Sequence, residues 1–178
     1  MITEQYPISP FQLPAVISEE DILVATEQLD QFPSKLSDLV ANWDDKQLDT
    51  PYREGSWTAR QLIHHIADSH AHSLIRYKWA LSEQTPLIKA YDQDGWAALS
   101  DAKMPIESSL NLIQAIHSKL VFIIRSLSAS DLEKAFIHPE NNKERSLKEN
   151  TLLYAWHSGH HYAHLENLAK RKGLVVLH

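Results

Sequence analysis

Apolar residues recur at helical spacing in four long stretches of the chain. In the first, Ile22, Leu29, Leu36, Leu39, Val40 and Trp43 follow Ser18, an N-cap residue, and Glu19, Glu20 and Asp21, whose charge suits the positive end of a helix dipole. Pro33 falls inside this pattern and is expected to kink the helix, because it lacks an N–H and crowds the carbonyl one turn back. In the second, Thr58 and Gln61 form a capping box, and Leu62, Ile63, Ile66, Leu74, Tyr77 and Leu81 predict a helix to about Ser82. The third has the cleanest period, from Ile106 through Leu110, Ile113, Ile116, Leu120, Ile123 and Ile124 to Leu127. The fourth opens on Ser146 and Glu149, runs through Leu152, Leu153, Trp156, Ala163 and Leu168, and ends where Gly173 follows three basic residues.

The segments between are shorter or irregular. Pro7, Pro10 and Pro14 make residues 1–17 an extended arm lying on the surface. Residues 44–57, with Asp45, Pro51, Gly55 and Ser56, read as a connector, and 83–104 as a long crossover with room for a short helical turn. Pro139, Asn141 and Asn142 signal a turn that allows at most a small hairpin. The pattern predicts an all-α, four-helix bundle occupying residues 1–178 as a single domain, an architecture that places metal sites between its helices.

Composition narrows the function. A formal net charge of −6 has the wrong sign for gripping nucleic acid or anionic lipid. The chain has no cysteine, so thiolate metal sites, disulfides and a cysteine nucleophile are excluded. No apolar run approaches membrane-spanning length and the first residues do not resemble a signal peptide, which together predict a soluble, cytoplasmic protein.

The eleven histidines are clustered, four between His64 and His72 and four between His157 and His164. Residues four apart on a helix stand on one face, so His160 and His164 form a ligand pair. With Leu153 they lie within about 40° of one another, flanked by His157 and Trp156, while His161 points further round. Two imidazoles need at least one further ligand, and the second helix is the donor, but periodicity does not choose among its histidines. His70 falls nearest the centre of that helix's apolar stripe. His65 lies on a polar edge with Asp68, Ser69, His72 and Arg76. Asp68 is placed to orient an imidazole or to act on a metal-bound water as the catalytic carboxylate. His117, His138 and His178 read as structural or solvent-facing, and Trp96 and Trp156 as pocket walls.

The chain resembles the DinB-like metal-dependent hydrolases, most closely the YfiT subgroup, also described as bacillithiol transferases. The likeness runs from about Tyr6 to Gly173. It is carried by Leu48 to Arg53, Gly55, Trp57-Thr58, Arg60-Gln61, His64-His65, Ala67 to His70, Ile75-Arg76, Tyr91-Asp92, His138-Pro139 and Trp156-His157-Ser158 leading to His160, His161 and His164. It implies a four-helix bundle that binds a divalent ion, zinc or nickel, through His65, His160 and His164, and a cytoplasmic homodimer. Gly159 departs from the pattern, standing where a relative carries another histidine.

Three nitrogen ligands leave a coordination position open for water or a low-molecular-weight thiol. With no cysteine in the chain, such a thiol would be a cosubstrate. The expected function is a metal-dependent hydrolase, possible thiol S-transferase, acting on a small-molecule substrate that Arg76, Tyr91 and Trp96 would contact. The alternative is a non-catalytic, stress-associated metal-binding bundle.

Overall fold

The computed structural model describes residues 3–174, so the expectations for His178 and for the first two residues of the arm fall outside it. Four long helices make up the body: α1 (Glu19–Val40), α3 (Ala59–Ser82), α5 (Glu107–Ser126) and α7 (Leu147–Lys172). Between them lie short elements: α2 (Asp45–Leu48), α4 (Gln93–Ala97), a 3-10 turn (Ser100–Lys103), α6 (Ala129–Leu132) and a hairpin of β1 (Ala135–His138) with β2 (Lys143–Ser146). The architecture is the all-helical bundle expected, with one long crossover and one small hairpin.

Local chemistry sets the helix ends. Ser18, Thr58 and Ser146 each close a capping box, and Gly173 ends α7 in the left-handed conformation at φ 63°. The connector at 44–57 holds more structure than its composition suggests. Asp44 and Gln47 form another capping box that starts α2, and Arg60 clamps this turn through Asp45 at 2.7 Å and Asp49 at 2.6 Å.

Pro33 sits within one continuous α1 and does not split it. Having no N–H, it leaves the Leu29 carbonyl without its usual helical donor. The ring of His117 on α5 faces that oxygen, with Nδ1 2.6 Å away.

Two apolar clusters fill the bundle. One joins Leu36, Leu39, Leu62, Ile63, Ile66, Ile113 and Leu165; the other joins Leu29, Tyr77, Leu120, Phe136 and Leu147. The interface of α3 with α7 is polar. Asn150 donates to Ser73 Oγ at 3.1 Å, Tyr154 donates to the Ser69 carbonyl at 3.1 Å, and the Tyr77 hydroxyl lies between the Leu147 carbonyl and Thr151. The crossover is stitched to the hairpin by Ile88 N–H to the Ile137 carbonyl at 3.1 Å and Ile137 N–H to the Pro86 carbonyl at 2.9 Å. The arm lies across α7, where Trp156 donates to the Ser9 carbonyl at 2.8 Å and packs on Phe11. Among the described residues no helix is long and apolar enough to cross a membrane.

Candidate metal centre

The eight clustered histidines separate into groups with different surroundings. His64 faces outward from the cluster and is held by Ser109 Oγ at 2.7 Å and the Met104 carbonyl at 3.1 Å. His72 turns back to the Asp68 carbonyl at 2.8 Å and lies parallel to Tyr91, whose ring also packs on Trp96. His70 is fully buried, as its position in the apolar stripe implies.

Three rings converge. One ring nitrogen from each of His65, His157 and His161 lies within 4.8 Å of the others, and the Nε2 atoms of His157 and His161 are 3.0 Å apart. Nitrogens bound to one tetrahedral ion at about 2.0 to 2.1 Å stand about 3.3 Å apart, so the cluster is near the size of a ligand set. Its electrostatics agree. Burial holds His65 down to about 4, and burial with the neighbouring histidines pushes His157 and His161 well below the ordinary imidazole range. A neutral imidazole keeps one ring nitrogen as a lone pair, so three such rings at this spacing can each offer a donor atom to a divalent cation. Among the described residues the buried Nδ1 of His161 has no hydrogen-bond partner, so the polar contact of this ring is the one its Nε2 makes inside the cluster. The donor set fits a zinc- or nickel-class ion.

This grouping differs from the expected trio. His65 is where the resemblance implied, but its neighbours on α7 are His157 and His161. His160 and His164 form a second pair, with Nε2 atoms 3.2 Å apart, alongside the cluster. Burial lowers the pKa of both, that of His164 to about 4. His160 stacks on Trp156, and His164 packs against Tyr52. The physical reason lies in α7. Its buried residues include Leu147, Asn150, Thr151, Tyr154, Ser158, His161, His164 and Leu165, and six of these eight are polar or tyrosine. Counting only apolar residues therefore centred the stripe near Leu153. The two pairs are three residues out of register, which turns one about 60° from the other around the helix axis.

Asp68 does not join the three rings. It is half-buried among His64, His72 and Asp101, and burial, with Asp101 adding to it, raises its carboxyl above the ordinary range. The carboxylate that sequence reading missed is Asp94 on α4. It lines a cleft of about 430 Å³ together with Arg53, Trp57, His65, His157, His160 and His161. Trp57 donates to Asp94 Oδ1 at 3.1 Å and packs on His65, so the indole ties the cleft wall to the converging rings. The available signal was Asp92, whose side chain caps α4 through Gly95 N–H at 3.0 Å and so places Asp94 in the first turn, two residues on.

Of the expected substrate contacts, Tyr91 brings its hydroxyl 3.5 Å from His65 Nδ1 and Trp96 stands partly exposed behind it. Arg76 is 8% exposed, gives Nη1 to Tyr154 at 3.1 Å, and forms no ion pair among the described residues. Its Nε is buried without a partner among the described residues.

Comparison with known proteins places the fold and the family. A relative from Oceanobacillus iheyensis, bearing the name "Putative metal-dependent hydrolase", is 44% identical over 171 residues, covering 96% of this chain and 99% of its own. One from Bacillus cereus with the same description is 44% identical over 94% of this chain and 96% of its own. The solved structure of YfiT from Bacillus subtilis, described as a probable metal-dependent hydrolase with an unusual four-helix bundle topology, superposes with a TM-score of 0.93 at 39% identity over 97% of this chain and 99% of that one. The DinB superfamily model matches residues 28–165, a span that includes all three converging histidines; the chain belongs to the DinB superfamily.

Proposed function

We propose that this chain is a metal-dependent hydrolase of the DinB/YfiT type whose divalent ion is held by His65, His157 and His161. The observation that carries this is the convergence of three neutral imidazole nitrogens within 4.8 Å at the base of an open cleft. A zinc or nickel ion bound through three nitrogens keeps a position for water or a small thiol and lowers its pKa toward neutrality.

The chain's own residues supply the rest. Trp57 holds Asp94 Oδ1, leaving Oδ2 to take a proton from a nucleophile in the cleft. Arg53 at the mouth and the unpaired Arg76 behind the site favour an anionic or polar substrate. Tyr91 and Trp96 pack on His72 and support the wall beside His65. Transfer of an external thiol to an electrophile is the finer form of the same reading; because the chain has no cysteine, that thiol would be a cosubstrate. A cytoplasmic homodimer of single-domain chains is the form expected from the subgroup, and light scattering tests its size.

The test pairs elemental analysis with assay. Protein carrying one zinc or nickel per chain should hydrolyse ester or amide substrates, or consume a thiol in the presence of an electrophile, and the metal-free protein should do neither. Equal inactivity of both forms in every assay would favour the non-catalytic bundle, in which an ion only ties α3 to α7.

A further inference from the structure

Behind the cleft, hydrogen bonds between histidines cross the bundle in a fixed order. His117 Nδ1 is 2.6 Å from the Leu29 carbonyl, which only accepts, so this nitrogen carries the proton. A neutral imidazole has a single N–H. His117 Nε2 is therefore a lone pair, and it accepts from His70 Nδ1 at 2.8 Å. His70 Nε2 in turn accepts from His157 Nδ1 at 3.1 Å. That leaves the lone pair of His157 on Nε2, the atom that faces His161 at 3.0 Å. One carbonyl thus sets the polarity of three rings.

The packing keeps them neutral and aligned. His70 is 0% and His117 1% exposed, and the planes of the two rings lie within 16° of parallel. Phe32 lies against both rings, and Tyr154 meets His70 edge-on. The path takes one residue from each long helix: Leu29 on α1, His117 on α5, His70 on α3 and His157 on α7. It starts where Pro33 leaves a helical carbonyl free, which gives the mid-helix proline a purpose beyond bending.

We propose that the Leu29 carbonyl freed by Pro33, acting through His117 and His70, fixes His157 in its Nδ1–H tautomer, so that Nε2 is presented as a metal ligand before any ion arrives. His70 and His117 are positioning residues. A ligating imidazole is commonly oriented by a carboxylate or carbonyl bonded to its other nitrogen. Here the carbonyl acts at a distance, through two intervening rings. The inference rests on His157 being a ligand, but the tautomer itself does not require the metal.

The experiment uses the full-length, metal-free protein. Nitrogen-15 NMR of the imidazoles should show Nδ1–H at His117, His70 and His157; an Nε2–H tautomer at His157 overturns the proposal. Zinc affinity, measured by competition with a chromogenic chelator, should fall about 10- to 100-fold in His117→Met, which can neither donate nor accept in the chain. The same variant should show mixed tautomers at His157. His117→Gln can accept from His70 and donate to Leu29, and should restore both properties. Unchanged affinity in His117→Met, or equal loss in both variants, also overturns it. Should His117→Met fail to fold, the wild-type spectrum decides. Nδ1–H at all three rings in a protein that takes up no zinc would retain the fixed tautomer and dispose of the metal assignment instead.

Discussion

Helices α5 and α7 pack in the same bundle but present their buried faces in different chemistry. The buried face of α5 is mostly apolar, with Ile113, Ile116, Leu120, Val121 and Ile124 beside Ser109 and His117, and its apolar spacing predicts which way it points. That of α7 includes Asn150, Thr151, Tyr154, Ser158, His161 and His164, and apolar spacing turns His164 inward but leaves His161 off the stripe. Hydrophobic periodicity reports where water is excluded by oil-like neighbours; it is blind where water is excluded so that polar groups can work together. A helix whose inward side is polar therefore marks the functional side of the bundle.

The contrast can be broken most decisively at the histidines. His65→Ala, His157→Ala and His161→Ala should each abolish stoichiometric metal uptake, whereas His160→Ala and His164→Ala should leave a metal-to-chain ratio near that of the parent protein, as read by elemental analysis. The reverse result would return the ligand role to the second pair. Acid comes next. Burial holds His65 and His117 at about 4 against an ordinary value of 6.5. Between those values the unfolded chain binds more protons than the native one, so their contribution to stability is complete above 6.5 and lost as pH falls toward 4. The loss is on the order of 3 kcal/mol for each ring, and denaturant titrations of the metal-free protein at pH 7 and 4.5 should show a lower midpoint in acid.

On the apolar side, Leu120→Ala should cost about 2 to 5 kcal/mol without changing metal affinity, since the side chain is fully buried far from any ligand role. Calorimetry and chelator competition would separate the two effects. In the cleft, Asp94→Asn should lower turnover by about 10²-fold or more with the metal retained, and Asp68→Asn should lower it far less. The smallest change is Gly159→Ala. A Cβ there meets Ile8 Cδ1 at 3.8 Å, an ordinary contact, so relief of glycine's helical cost should stabilise α7 by about 0.5 to 1 kcal/mol.

The long helices were readable because each had a capping residue and an apolar stripe: Thr58 and Gln61 start α3, and Ser146 and Glu149 start α7. The short elements were less so. Asp44 and Gln47 make a capping box as good as these, but the helix they begin is only one turn long and has little periodicity to detect. Of the site, the histidine clusters were visible as residue types, and His65 was reached through family resemblance. The register of α7 was not, because two pairs with identical spacing cannot be distinguished without knowing which way the helix faces. Asp94 was hidden in the crossover, where position depends on tertiary packing.

The N-terminal arm crosses α7 at Trp156, the residue before His157, and is held there through Ser9 and Phe11. The same indole stacks on His160, so the arm works as a strap over the outer wall of the histidine ladder. Limited proteolysis near Pro10 would release that strap and bare the indole to quenchers, and comparing the quenching with that of a Trp156→Phe variant separates this indole from the other four and gauges whether the wall is seated.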